Sequence, residues 1–444
     1  LKIPQYILAA LFLVLAFSYN YFPEQSDFQL IAPIHTALFA IYGWVLWKIK
    51  STNQVLFWIG LGIAARAVLL FNLPNLSDDI YRFVWDGLLI NDGQNPFTQL
   101  PSYYLEANHQ IDGLNPALYA QLNSQEYYTI YPPVAQLTFA IATFISPNSV
   151  WGAAVLMKVM LLALESGSIY LIYRLLQKLQ LPTANTLIYA LNPLMINEIS
   201  GNLHFEGGMI FFLLLAIWLL LEQKNVWSAL AFAMSIAAKL LPVLFLPLLL
   251  RRLQFKKASI YYIIAGALTL LLFLPLLNGV FLNNFGDSLD LYFRKFEFNA
   301  FIYYIFREFG FYFHGYNTIQ TLGPKLGIAT LVGVLILTFA ERKPTFENLP
   351  KSMLFAITIY LLLAMTVHPW YVALPLLLCS FTRFRYPVVW SFLIGFTYIN
   401  YISPEYFENL WVVAIEYSVV IGWLVWELFL QKNGRQLSST SAHF

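Results

Sequence analysis

Apolar positions fall in long runs along the chain and do not alternate with polar ones. Runs bounded by polar or turn residues lie near residues 5 to 22, 30 to 48, 55 to 73, 150 to 173, 184 to 200, 205 to 222, 258 to 277, 317 to 340, 386 to 402 and 409 to 430. Each approaches the roughly 20 residues that a helix needs to cross a hydrocarbon core. None shows the short alternating segments of a transmembrane barrel. Two further stretches are interrupted, residues 226 to 250 by Lys239 and Pro242 and residues 352 to 382 by His368-Pro369-Trp370. Proline lacks a donor and clashes with the turn before it, so each stretch reads as two shorter helices meeting at a membrane edge. The pattern predicts an all-α polytopic membrane protein.

Composition agrees. The 444 residues are 59% hydrophobic and 11% charged, where a soluble chain carries about 25% charged residues; a soluble multidomain enzyme is excluded. The net charge of +2 carries little weight, because in a membrane protein the placement of charge decides. The single cysteine, Cys379, has no disulfide partner and provides no Cys-based metal site. No basic patch with interleaved aromatics lies away from the membrane edges, so nucleic acid is not an expected partner. The first run, Tyr6 to Phe22, reads as a span and not a signal peptide, being long, flanked only by Lys2 and followed by no small-residue cleavage pattern.

Lys and Arg mark the cytoplasmic side. Most of the 25 basic residues can be placed on one side, including Lys48/Lys50, Arg174/Lys178, Arg251/Arg252/Lys256/Lys257, Arg342/Lys343/Lys351, Arg383/Arg385 and Lys432/Arg435. That arrangement needs about 14 crossings, with both termini inside. It holds only if each interrupted stretch crosses twice and the apolar segment Tyr131 to Ile145 does not cross. Residues 74–148 then form one long outer loop whose end, after Tyr131-Pro132-Pro133, dips into the membrane as a re-entrant helix. A second outer loop covers 278–316. The expected organisation is two N-terminal helices in 1–54, a core in 55–436 and a flexible, Ser/Thr-rich tail in 437–444.

Chemistry gathers in the outer loops. Ser77-Asp78-Asp79-Ile80-Tyr81-Arg82-Phe83-Val84-Trp85-Asp86-Gly87 starts with residues suited to cap a helix. At about 100° per residue, Asp78, Arg82, Asp86 and Asp79 share one face and Ile80, Phe83, Val84 and Leu88 the other. This describes an interfacial helix with its carboxylates along one side; the pattern equally fits a merely solvated face. Gly201-Asn202-Leu203-His204-Phe205-Glu206 follows Asn192-Pro193 in a short outer turn, suited either to a hydrogen-bonded hairpin or to orienting a sugar or phosphate. Lys239 lies deep in an apolar stretch, where an ammonium needs a partner, a polar cavity or a snorkelling path. As a site residue it would face an anionic phosphate. His368-Pro369-Trp370-Tyr371 suits an aromatic belt or a site wall. Arg294 and Lys295 in the second loop are ordinary loop cations or an anion clamp. No phosphate-binding Gly loop, zinc spacing or serine-hydrolase elbow is present, and Gly60 and Gly62 sit inside a span, so an activated substrate would arrive through the membrane.

Taken in order, these segments and Gly93-Gln94-Asn95-Pro96-Phe97 resemble the GT-C superfamily of integral-membrane glycosyltransferases. The similarity is closest to bacterial polyprenol-phosphate-mannose-dependent mannosyltransferases and runs from about residue 55 onward. The resemblance implies a GT-C fold, a polyprenyl-phosphate-sugar donor, a glycolipid or glycan acceptor, and an active site on the outer face of a bacterial inner membrane. It implies an acidic catalytic base in the first loop, matched best by Asp79 and next by Asp78. Many relatives carry an Asp-rich motif where this chain has His204 and Glu206, and neither a metal nor another cofactor is expected.

The resulting reading is an inverting transfer of a sugar, with mannose as the family-level choice. Asp79 acts as base and His368 shares or relays the proton. Arg82, Lys239, Arg294 and Lys295 bind the donor phosphate, and Asp86, Tyr131, Asn202, His204, Glu206, Trp370 and Tyr371 bind substrate. The alternatives are a flippase or transporter of lipid-linked sugars, whose polar site would sit nearer the bilayer midplane, and a polymerase or ligase moving a whole glycan, which would carry a larger Arg-rich loop.

Overall fold

The computed structural model describes residues 5–106, 109–403, 405 and 407–440, and their regular structure is helical, joined by turns and loops, with an isolated bridge between Phe298 and Thr366. Five helices are long and apolar enough to cross a membrane: Phe28–Lys48, Val150–Lys178, Phe255–Leu276, Ile319–Ala340 and Leu410–Leu430. Gln5–Tyr21, Pro133–Ile145, Asn225–Ala238, Leu349–Leu363 and Pro369–Cys379 are apolar but shorter. The last helix continues to Thr440, so the first four residues of the expected flexible tail are helical; 441–444 lie outside the described residues.

The breaks at Lys239-Leu240 and at Ala364 to His368 fall where the interrupted stretches place them. Asn225–Ala238 ends before Lys239, and a 3-10 turn from Leu241 to Phe245 leads into Leu246–Leu253. The run 184–200, read above as one span, is a correction: its helix Thr186–Ala190 stops before Asn192-Pro193. The proline disfavours helical backbone at the residue before it. The Asn192 side chain then accepts a hydrogen bond from the Met195 N–H and starts a new turn, which widens into a π-helical turn over Ile196–Gly201. Pro193–Gly201 and Glu206–Leu221 are bent by 112° relative to one another.

This irregular segment joins two apolar cores. Met195, Ile196 and Ile199 pack into the larger core with the two N-terminal helices and the C-terminal half of the chain. Leu203 and Phe205 pack into a second core with the Asp79–Asn91 and Pro133–Ile145 helices. Lys158, from the Val150–Lys178 helix, is buried at the junction and gives all three ammonium protons away, to Leu69 O at 2.9 Å, Gly201 O at 2.8 Å and the Asn72 side chain. Asn72 donates to Asn20 O at 3.1 Å, and Asn20 donates to Asn197 Oδ1 at 2.9 Å. The N-terminal helices thus hold the turn directly. Nearby, fully buried Arg66 pairs with Glu165 at 3.1 Å and donates to Ala190 O, closing the end of the Thr186–Ala190 helix.

The Asp79–Asn91 helix forms as expected, but its charged face is not a solvated one. Pro133–Ile145 crosses it at Gly87, where a Cβ would stand 2.5 Å from Phe139 O, and this close approach covers the face. Asp86 is fully buried, paired with Arg82 at 2.8 Å and bonded by Gln136 at 2.9 Å. Arg82 also donates to Tyr127 O at 2.9 Å. Residues 82–89 of the helix are buried, while its first turn, with Asp78 just before it and Asp79 at its start, stays accessible, as does its last turn at Ile90 and Asn91.

Replacing Lys158 with Met should lower the melting temperature of the detergent-solubilised protein by several degrees. Three buried acceptors lose their donor, and each costs about 1–3 kcal/mol. An unchanged melting curve would show that the junction does not depend on this ammonium.

Candidate functional site

Two layers make the site. The accessible layer carries Asp78, Asp79, Lys239, His368, Trp370 and Tyr371; beneath it Glu198, Asn202, His204 and Glu206 are buried. Asp79 begins the first-loop helix, and its N–H faces Ser77 Oγ at 3.4 Å. One carboxylate oxygen accepts from the Asn123 amide at 3.0 Å, and the other faces His204 Nδ1 at 4.0 Å. The aspartate side chain is 22% exposed, enough to meet a substrate while its position is fixed.

His204 owes its place to the bend. Leu203 lies in the left-handed region at φ 63°, a conformation costly for a residue with a branched side chain and held here by burial of that side chain. The turn throws the imidazole under Trp370, with ring centroids 3.7 Å apart, and brings Nε2 to 3.4 Å from Glu198 Oε2, short of good hydrogen-bond geometry. Glu198 accepts from Tyr398 OH at 2.8 Å and from the Asn202 amide at 3.2 Å.

Trp370 also stacks with His368, 4.4 Å between centroids, so one indole organises both imidazoles. His368 stacks in turn on Phe298 at 4.7 Å. The strand-like pairing of Phe298 with Met365 and Val367 brings the 278–316 segment against this wall. Next to Trp370, Tyr371 presents its ring 5.5 Å from Lys239 Nζ. Lys239 forms an ion pair with buried Glu206 while remaining a third exposed. A carboxylate, a stack of flat rings and a half-open ammonium therefore share one contiguous surface.

The other expected residues lie elsewhere. Arg82 and Asp86 are bonded to each other and to the loop below the site, which leaves the guanidinium little freedom to reach a phosphate. Tyr131 packs edge-on against Phe83 at 4.9 Å, on the flank of Phe205. Arg294 is exposed and pairs with Asp290 one helical turn back, at 3.0 Å, with Lys295 exposed beside it. Among the described contacts neither cation touches the Asp79 cluster. His204 is the imidazole that reaches Asp79, whereas His368 lies against aromatic rings. Glu198, Asn123 and Tyr398 were missed by the sequence reading. A carboxylate at Asn197-Glu198, at the end of an apolar run, was the available signal. Among the described residues no group of three or more His, Cys, Asp or Glu is placed to hold a metal ion.

Residues 32–253, half of the 444-residue chain, match the family model described as alpha-(1->6)-mannopyranosyltransferase, N-terminal domain, of the MptA_B family. The chain belongs to that family, a family of glycosyltransferases that transfer mannose. The match spans the bend, Asp78, Asp79, Glu198, His204, Glu206 and Lys239, and stops before the His368 wall. No curated protein matches the chain.

Protein packed around Asp78, and then the neighbouring Asp79 carboxylate, raise the pKa of the Asp78 carboxyl above its ordinary value. A raised carboxyl pKa means that the folded state holds the proton more tightly, so stability falls as pH rises from the ordinary carboxylate range through the raised value. Asp78→Asn should therefore raise the melting temperature slightly at neutral pH and lose that advantage in acid, with transfer activity largely kept. Equal melting shifts at both pH values would contradict the assignment.

Proposed function

We propose that this chain is an inverting mannosyltransferase that takes mannose from a polyprenyl-phosphate donor and gives it to a hydroxyl of a glycolipid or glycan acceptor. The observation that carries the reading is the state of Asp79. It is the carboxylate of the cluster that is both held and partly open, whereas Glu198 is closed over and Glu206 is tied to Lys239. Asp79 accepts the proton of the acceptor hydroxyl as that oxygen attacks the anomeric carbon. General-base help of this kind contributes about 10² to 10⁴ in rate. The bond from the anomeric carbon to the phosphate oxygen breaks, and its electron pair leaves with the phosphate.

Lys239 is suited to receive that charge, because a fixed cation stabilises a departing phosphate more than a diester not yet cleaved. Trp370, His368 and Tyr371 supply flat faces for the sugar and the first isoprene units. Arg294 and Lys295 lie a few residues before Phe298 and would close on the phosphate from the second loop. The family description names an α linkage, and an α product formed in one displacement requires a β-linked donor. On this reading the chain adopts a GT-C fold with about 14 crossings. The apolar helices too short to span a bilayer alone then serve as paired or re-entrant elements, and the site opens on the outer face of a bacterial inner membrane.

Two variants test the assignment in nanodiscs. Asp79→Asn should keep its melting temperature and lose at least about 10²-fold in transfer; activity near wild type would sink the base. Lys239→Gln should raise the donor KM and lower kcat, since the cation meets phosphate in both ground and transition states. Unchanged donor kinetics would remove it from the phosphate site.

A further inference from the structure

We propose that Glu198 is a positioning residue that makes His204 the proton acceptor behind Asp79, so that Glu198, His204 and Asp79 form a relay. The inference deepens the transferase reading and rests on it. Three observations carry it. His204 lies between two carboxylates, Nε2 at 3.4 Å from Glu198 Oε2 and Nδ1 at 4.0 Å from Asp79 Oδ2. His204 Nε2 is buried and has no hydrogen-bond partner, while Glu198 is the carboxylate within reach of it. Glu198 is itself fully buried and oriented by two neutral donors, Tyr398 OH and the Asn202 amide.

A carboxylate beside Nε2 keeps the proton on that nitrogen and leaves the Nδ1 lone pair toward Asp79. The acceptor O–H proton moves to Asp79 Oδ2 as the new C–O bond forms and the bond to phosphate breaks. Asp79 then passes the proton to His204 Nδ1, giving an imidazolium flanked by two carboxylates. The released phosphate or water takes that proton and resets the site. The distances are longer than a hydrogen bond, as is common where catalytic contacts tighten only with substrate bound. Motion is small, because Trp370 already fixes the ring plane.

Among the described residues, the charged and titratable groups around His204 include Asp79 with Asp78 beside it from the first-loop helix, Glu198 from the π turn, Glu206 with its partner Lys239, and His368 from the opposite wall. Tyr398, Tyr401, Tyr19 and His35 surround Glu198, and Tyr401 also faces Asp78 and Asp79. Among these, Glu198 is the anion that can stabilise the imidazolium without touching substrate.

The test is the pH dependence of kcat for Glu198→Gln in nanodiscs, with Asp79→Asn as reference. Removing the charge destabilises the imidazolium, so the acid limb should move down by about one pH unit or more. The plateau should drop about tenfold, with the donor KM unchanged. A lowered plateau with the wild-type acid limb would mean a purely structural glutamate and would overturn the proposal. Tyr398→Phe covers the case in which Glu198→Gln does not fold. It strips one donor from the carboxylate, makes it more basic and should move the limb slightly upward; no movement, or a downward one, overturns the relay. An active Asp79→Asn enzyme would instead remove the base reading itself, whatever Glu198 does.

Discussion

Everything at the site depends on keeping an unwound backbone satisfied inside an apolar scaffold. Between Ala190 and Glu206 the chain leaves regular α-helix, and in apolar surroundings each exposed carbonyl or N–H left alone costs several kcal/mol. Lys158 meets this constraint by binding Gly201 O, Leu69 O and Asn72 together, and Arg66 meets it at Ala190 O. These buried cations are structural: they fix the 112° bend that delivers Glu198, His204 and Glu206 to one place. Asn20 belongs to the same network through Asn197, so the first N-terminal helix helps to hold this turn.

The bend also sorts the carboxylates by environment. Asp86 and Glu165 each have a guanidinium at bonding distance and are closed to substrate. Glu206 has Lys239. Among the described contacts Glu198 has neutral donors and an imidazole, and Asp79 has an amide, an imidazole and an open side. Similar side chains thus acquire different surroundings from burial and partners alone, and Asp79, the partly open one of these, stands at the first turn of a helix whose middle is covered.

Much of this was legible in the residues. Apolar runs marked the long helices, Pro and Lys marked the breaks at 239–242 and 368–370, and the turn Asn202 to Glu206 stood out as too polar for a plain hairpin. The failures have a common origin. Helical periodicity places Asp78, Asp79, Arg82 and Asp86 on one face, but periodicity cannot say that another helix crosses at Gly87 and buries the last two. Nor can a local pattern show that Glu198, on an apparently continuous apolar run, meets His204 across a π turn, or that Tyr398, two hundred residues away, completes its shell. Those facts arise from tertiary packing. Family membership rests on residues 32–253, and the ring stack at His368 to Tyr371 lies outside that match.

The central claim is that this site moves one mannose from a lipid phosphate to an acceptor. Mass spectrometry of lipids from the purified protein in nanodiscs, supplied with β-linked polyprenyl-phosphate-mannose and a membrane lipid extract, tests it most directly. The account predicts a species heavier by one hexose, α-linked, with free polyprenyl phosphate released in equal amount. Movement of labelled carrier across the bilayer with no hexose-bearing product would contradict it and identify a transporter in its place.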